Sequence, residues 1–137
     1  MINKVERQNF SKNERLCKTK LIDELFERGN VFYTSQFRVV WSLNPADLTS
    51  PAQIAISIPK KIIRLAVSRN LLKRRIRESY RKMKHQLYRF LASENVRVAI
   101  VLIYRNNTLS DYRTIEKSLA EVLEMLCINI KEKLKKC

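Results

Sequence analysis

The stretch VRVAIVLIY, residues 96–104, restricts the fold of this chain more than any other feature. Successive side chains of a strand point to opposite faces, and here both sets are largely apolar and rich in β-branched residues. Such a strand is favourable when both of its faces are covered. We therefore expect it at the centre of a sheet.

Two other segments alternate in the manner of strands. In QFRVVWSL, residues 36–43, Phe, Val and Trp occupy one face while Arg, Val and Ser occupy the other. In AQIAISIP, residues 52–59, three Ile share one face, Ala55 and Ser57 share the other, and Pro59 ends the pairing. The turn-rich NPADLTSP between the two segments predicts a hairpin-like connection.

Three segments have the periodicity of helices. LIDELFER, residues 21–28, groups its apolar residues at helical spacing and precedes Gly29, a common helix stop. Residues 66–84 form a second, strongly basic segment. The third begins at Ser110 or Asp111, is amphipathic and ends in the basic KEKLKK. The predicted order is helix, strand, strand, helix, strand, helix.

The basic segment contains SRNLLKRRIRESYRK, residues 68–82. At about 100° of rotation per residue, Leu72 and Ile76 fall on an apolar stripe that can pack on a sheet. A neighbouring arc is almost free of acids, with Glu78 as the exception, and like charges on it repel one another. The arc comprises Arg69, Asn70, Lys73, Arg74, Arg77, Arg81 and Lys84.

Three interpretations of this arc are open. It is a solvated helix face, a membrane-surface helix, or a binding surface for the phosphates of a nucleic acid. The first is disfavoured because ordinary exposed helices intersperse acids among their bases. The second is disfavoured because the apolar stripe is needed for packing within the fold. We therefore expect a nucleic-acid partner.

Composition supports this expectation. The chain has 28 Lys and Arg against 13 Asp and Glu, a formal charge of +15 that attracts polyanions. No apolar segment of about 20 residues and no signal peptide is evident, so no membrane association is expected. The three Cys lack the spacing of a zinc site or a disulfide framework and fit a reducing cytoplasm.

The stretch IAISIPKKIIRLAVSRNLLKRRIRES resembles the signature of the bacterial ribonuclease P protein subunit, in which a strand ending in SxxKK leads into an RNRxKRxxRE helix. The likeness covers nearly the whole chain. It implies a single α/β (α+β) domain over residues 1–137, with a central mixed sheet packed by helices and a left-handed strand-helix-strand crossover. Residues 1–14 are expected to be flexible and residues 131–137 to form a basic tail.

The resemblance also implies a function. In this family a catalytic RNA subunit, with Mg²⁺ held chiefly by the RNA, removes the 5′ leader of precursor tRNA. The protein binds ribonuclease P RNA and precursor tRNA in the cytoplasm and assists the cleavage. No catalytic residue, metal ligand or further protein partner is expected of the protein itself.

Two sets of site residues follow from the match to the family's motif. The residues expected to bind the RNA subunit are Lys60, Arg64, Arg69, Asn70, Lys73, Arg74 and Arg77. Those expected to line a cleft for the leader are Ile22, Phe26, Val40, Ser57, Lys61 and Tyr104. Leu71 and Ile22 depart from the pattern, because the family has Arg at the first position and an aromatic residue at the second. Tyr104 could equally cap a buried strand end, and Phe37 is better explained as core.

Two other functions compete with this interpretation. A self-sufficient nuclease would need clustered Asp, Glu or His around a metal-activated water, and the single His85 lies between Lys84 and Gln86 on the basic helix. A structural RNA-binding protein of ribosomal type could share the charge and the α/β pattern. It would not restore cleavage to a catalytic RNA.

Overall fold

The structure is a computed structural model, and it describes residues 14–16, 19–45 and 50–135. Four strands form one mixed sheet in the order β1-β2-β4-β3, in which β3 and β4 are parallel and the other pairs antiparallel. The predicted α+β class is therefore confirmed. The elements are α1 (Thr19–Arg28), β1 (Asn30–Tyr33), β2 (Phe37–Leu43), β3 (Ala52–Ser57), α2 (Ala66–Glu94), β4 (Val98–Tyr104) and α3 (Tyr112–Lys135).

Strand β4 lies between β2 and β3, as its two apolar faces predicted. Its residues are buried on both faces of the sheet, except that Ile103 is partly exposed. The expected hairpin between β2 and β3 is wrong, because β4 separates them. The local turn signal marks a change of direction, but the burial of two apolar faces decides which strand takes the central position.

Strand β1 is absent from the predicted order. It has only four residues, NVFY, and only Phe32 among them is buried. So short a strand gives too few alternations to be separated from a loop by periodicity. It pairs antiparallel with β2 and forms one edge of the sheet.

The larger core lies on the face of the sheet that α2 and α3 cover. Leu72 and Ile76 of α2 are fully buried against it, as predicted. Burying a side chain of this size contributes about 1.5–3 kcal/mol. Helix α2 runs beyond the predicted residue 84 because Leu87 and Leu91 continue the apolar stripe, and it ends at Asn95 in the left-handed conformation.

Helix α3 starts directly after Asp111, which is one of the two capping residues that the sequence predicted. Asp111 accepts a hydrogen bond from the Thr114 N–H at 2.8 Å. This bond lowers the pKa of Asp111. Residues 131–135 of the expected basic tail are the last part of α3, with Lys133 and Lys135 in its final turn, while residues 136 and 137 lie outside the described residues.

Helix α1 covers part of the opposite face of the sheet. Leu25 packs there on Val40 of β2 and Val101 of β4 in a second, smaller core. The single Gly of the chain, Gly29, follows α1, and a Cβ at this position would lie 2.8 Å from Val40 Cγ1. The absence of a side chain at Gly29 therefore lets the end of α1 approach the sheet closely.

Residues 14–16 lie along the outer edge of β3, where the Leu16 N–H donates to the Ile54 carbonyl at 2.9 Å. Glu14 is only 5% exposed. Of residues 1–14, which were expected to be flexible, only Glu14 is among the described residues, and it is buried beside α2.

Candidate nucleic-acid interface

Five of the seven residues of the basic arc of α2 line an open groove of about 540 Å³. We call the residues of this groove the basic wall. Arg15, from the segment beside β3, faces the same groove and adds a positive charge that the helical periodicity of α2 did not predict. The basic wall consists of Arg15, Asn70, Lys73, Arg74, Arg77, Glu78 and Arg81.

Glu78 is the acid of this wall, and its carboxylate is directed at Arg81. The Arg81 Nη2 and Glu78 Oε2 atoms are 2.6 Å apart. The hydrogen bond to Arg81 is the main cause that lowers the pKa of Glu78. Glu78 is therefore ionised at neutral pH and offsets one positive charge, so the wall keeps a strong positive excess.

The Arg69 guanidinium does not line the groove, where the helical rotation predicted it, but bonds to the connection before α2. Its Nη1 donates to the Ile63 carbonyl at 3.0 Å and to the Arg64 carbonyl at 2.7 Å. The guanidinium thus orders the connection that leads from β3 into α2. Lys60 and Arg64 are exposed on that connection, next to the start of the helix.

The predicted residues for the RNA subunit therefore form two neighbouring groups. Lys60, Arg64 and Arg69 belong to the connection before α2 and its first turn. Asn70, Lys73, Arg74 and Arg77 line the groove along the next turns.

Lys84 is not part of the exposed arc, contrary to the prediction from the helical rotation. Its side chain is 3% exposed, and its Nζ lies 2.6 Å from Glu14 Oε2. Tyr88 donates a hydrogen bond to the same oxygen. Sequence reasoning missed this cluster because Glu14 and Lys84 are 70 positions apart and no local pattern connects them.

The second candidate surface lies on the face of the sheet that α1 covers in part. We call its uncovered portion the open face. Phe26 of α1 is 49% exposed beside it, and Ile22 is half-buried one helical turn earlier. Ser57 ends β3 half-buried, and Lys61 is exposed on the connection that follows.

Val40 lies on the same side of the sheet but does not form an accessible floor. It is 1% exposed and packs under α1 against Leu25. The accessible floor next to Ser57 is formed by Ala55 and Ile103, which are both half-buried. The prediction for Val40 identified the face correctly but not the area covered by the helix.

Tyr104 is wrong as a residue of the leader cleft, because its side chain is on the other face of the sheet. Its ring packs edge-to-face on Phe37 with 5.9 Å between centroids, and both residues are in the larger core. Its hydroxyl donates to the Thr108 carbonyl at 2.7 Å and lies 2.8 Å from Ser110 Oγ. Neighbouring residues of a strand face opposite sides, so Ile103 takes the position on the open face.

The described residues do not form the cluster of metal ligands that a self-sufficient nuclease would need. In residues 14–16, 19–45 and 50–135, no three His, Cys, Asp or Glu side chains come close enough together to hold a metal ion. His85 is half-buried on α2. Within the same part of the chain, no helix has the length and hydropathy needed to cross a membrane.

The fold and the basic wall define an α+β protein with a positively charged surface of the kind that suits a nucleic acid. The family model described as Ribonuclease P matches residues 10–127. The Ribonuclease P protein component of Porphyromonas gingivalis is 32% identical over 121 residues, which cover 88% of each chain. That of Syntrophus aciditrophicus is 35% identical over 106 residues, covering 77% of this chain and 80% of its own. The chain belongs to the ribonuclease P protein family.

Solved structures agree with this assignment. A mutant RNase P protein of Staphylococcus aureus, described as defective in mRNA degradation activity, has 27% identity and a TM-score of 0.67 over 84% of this chain and 89% of its own. The RNase P protein of Thermotoga maritima has 24% identity and a TM-score of 0.63 over 82% of this chain and 96% of its own, which supports the shared fold. The identification made from the sequence motif is confirmed.

Proposed function

We propose that the chain is the cytoplasmic protein subunit of a ribonucleoprotein in which ribonuclease P RNA, with its own Mg²⁺, removes the 5′ leader of precursor tRNA. The observation that carries this proposal is the basic wall on α2. It is a dense positive surface on the helix, placed away from the buried stripe of Leu72 and Ile76. Family membership specifies which RNA supplies the counter-charge.

The basic wall is the surface for the RNA subunit. Lys73 and Arg74 lie about one helical turn before Arg77, and all three line a single groove. Phosphates of an RNA backbone neutralise such charges and release condensed counterions. The affinity is therefore expected to fall linearly in log salt, with a slope of about −0.7 to −0.9 for each phosphate contact.

The open face is the surface for the single-stranded leader. Ala55 and Ser57 are small, so a nucleic-acid strand can approach the sheet next to α1. Lys61 is exposed at the end of this face and can pair with a phosphate. Phe26 offers an aromatic ring on which a base can stack, an interaction of about 1–3 kcal/mol that tolerates any sequence.

We assign the chemical step to the RNA and not to the protein. The donor groups of the described residues do not converge on a position where a metal ion could activate water. The protein's contribution is binding and orientation, which lower the barrier by holding the two RNAs together.

The test is reconstitution with a bacterial ribonuclease P RNA at low Mg²⁺. The holoenzyme is expected to cleave precursor tRNA at the 5′ end under conditions where the RNA alone is slow and the protein alone is inactive. Protein that bound the RNA but left its cleavage rate unchanged would instead be a structural RNA-binding protein. Cleavage by the protein without RNA would place the active site in the protein.

A further inference from the structure

Tyr33 is a large aromatic side chain that the two proposed surfaces do not use. It ends β1, the edge strand of the sheet, and it is 55% exposed. The Arg105 guanidinium lies over its ring, 4.9 Å from the centroid. Arg105 Nη1 also donates to the Thr34 carbonyl at 3.1 Å, which anchors the guanidinium against the edge strand. The ring is thus held in place from one direction and remains more than half accessible.

Tyr33 lies in the same cross-strand row as Ser57. In the register of the sheet, Tyr33 is paired with Arg38, Arg38 with Ile103, and Ile103 with Ser57. Paired residues in adjacent strands point to the same face, so the four side chains form one row across the whole sheet. Neighbouring strands are about 4.8 Å apart, and the row therefore spans about 14–15 Å.

This row lies outside the area covered by α1. The adjacent row of Val40 and Val101 is buried under the helix. In the row itself Arg38, Ile103 and Ser57 are all partly exposed. It is consequently an open strip beside α1, with a polar residue at one end, an aromatic residue at the other, and a guanidinium and an aliphatic side chain between them.

We propose that Tyr33 is a base-stacking site for single-stranded RNA and that the open strip carries the leader from Ser57 to the edge of the sheet. The proposal rests on the proposed function of the open face. Aromatic rings bind bases of any identity through their π-faces, and Arg38 and Arg105 beside the strip supply positive charge for the backbone. Tyr33 thereby extends the leader path beyond the residues that match the family's motif.

An exposed aromatic residue on an edge strand can also be purely structural, since aromatic side chains suit strands. The two roles differ in their dependence on leader length. A structural Tyr33 affects all tRNA ligands alike. A stacking Tyr33 affects only those leaders that are long enough to reach it from Ser57.

The experiment measures the dissociation constants of the reconstituted holoenzyme for mature tRNA and for precursors whose leaders grow one nucleotide at a time. Three variants are compared with the natural chain. Tyr33→Leu keeps an apolar side chain suited to a strand but removes the ring, and Tyr33→Phe keeps the ring. Val31→Ala is the matched control, since Val31 lies on the same face of the same strand, is 46% exposed and is paired with Val40 in the covered row.

For Tyr33→Leu we expect a loss of about 5- to 150-fold for long leaders, which corresponds to one stacked base, and no loss for short leaders or mature tRNA. Tyr33→Phe and Val31→Ala are expected to bind like the natural chain. An equal loss for all ligands, or no loss at any length with a folded protein, overturns the stacking role. If the natural chain binds precursor and mature tRNA equally, the leader function of the open face fails as well.

Discussion

Glu14 and Lys84 form a buried ion pair in which the carboxylate Oε2 and the ammonium Nζ are 2.6 Å apart, and their side chains are 7% and 3% exposed. The Tyr88 hydroxyl donates to the same oxygen, and burial raises the pKa of Tyr88. This cluster attaches the segment of residues 14–16 to the middle of α2. As a consequence, Arg15 is held in the basic wall.

Removing one partner of the pair should be strongly destabilising. Lys84→Met leaves the Glu14 carboxylate buried without its counter-charge, a loss of about 3–5 kcal/mol in the free energy of unfolding. The measurement is urea denaturation. The double variant Glu14→Gln with Lys84→Met should recover much of this loss, since no charge is then buried. A single variant as stable as the natural chain would show that the pair is dispensable.

Substitutions of Arg69 and of Arg77 should have different effects on the stability of the protein, although both residues belong to the same sequence motif. Arg69 holds the carbonyls of Ile63 and Arg64, whereas Arg77 is exposed in the groove. Arg69→Ala is therefore expected to lower the free energy of unfolding by about 1 kcal/mol, the usual net value of such hydrogen bonds at a partly exposed site. Arg77→Ala should leave it unchanged.

Both variants are expected to weaken binding of the RNA subunit. Thermal unfolding of the protein alone and RNA affinity as a function of salt are the two measurements. Arg77→Ala should reduce the magnitude of the log–log salt slope by about one contact, that is by roughly 0.7–0.9. If Arg69→Ala proves as stable as Arg77→Ala, the contacts at the start of α2 do not order the connection.

Ile76 should be a purely structural residue of the basic helix. It is fully buried between α2 and the sheet, so Ile76→Ala is expected to cost about 2–5 kcal/mol through lost burial and a residual cavity. Val67 on the same helix is 79% exposed, and Val67→Ala is the matched control that should change stability little. Equal stabilities of the two variants in urea denaturation would contradict the packing of α2.

The features that could be predicted from the sequence are those that depend on short-range periodicity. The two apolar faces of β4 predicted its central position, and the stripe of Leu72 and Ile76 predicted which side of α2 is buried. The motif around α2 identified the family. Each of these patterns can be read within one or two turns of a helix or along one strand.

The features that were missed depend on contacts between distant parts of the chain. The pairing of Glu14 with Lys84 turned a predicted exposed base into a buried one. The placement of α1 over Val40 removed a predicted binding residue from solvent. The pairing of β4 with β2 put Tyr104 opposite Phe37, on the face of the larger core. Periodicity describes which residues share a face, but it does not say which element covers that face.

Gly29 should be intolerant of a side chain. A Cβ at this position would come within 2.8 Å of Val40 Cγ1 and would also collide with the Leu25 carbonyl oxygen. Gly29→Ala is therefore expected to push α1 away from the sheet and to destabilise the protein by about 1–3 kcal/mol, the range for overpacking. Combining it with Val40→Ala should restore part of the stability, since the smaller side chain provides space. If the single variant unfolds like the natural chain, α1 is not docked as closely as the structure shows.

The departure of Ile22 from the family's pattern gives the last prediction. Ile22 lies half-buried on α1 one turn before Phe26, so that the two side chains share a face of the helix beside the open face of the sheet. Ile22→Phe adds a second ring on which a leader base can stack. We expect tighter binding of leader-bearing precursor by up to about 1–3 kcal/mol and an unchanged affinity for mature tRNA.

The matched control is Ile22→Leu, which keeps an aliphatic side chain and should change neither affinity. Because Ile22 also packs on the smaller core, thermal unfolding of both variants must match that of the natural chain. Equal changes for precursor and mature tRNA, or no change for either in a folded protein, would mean that Ile22 does not line the leader site.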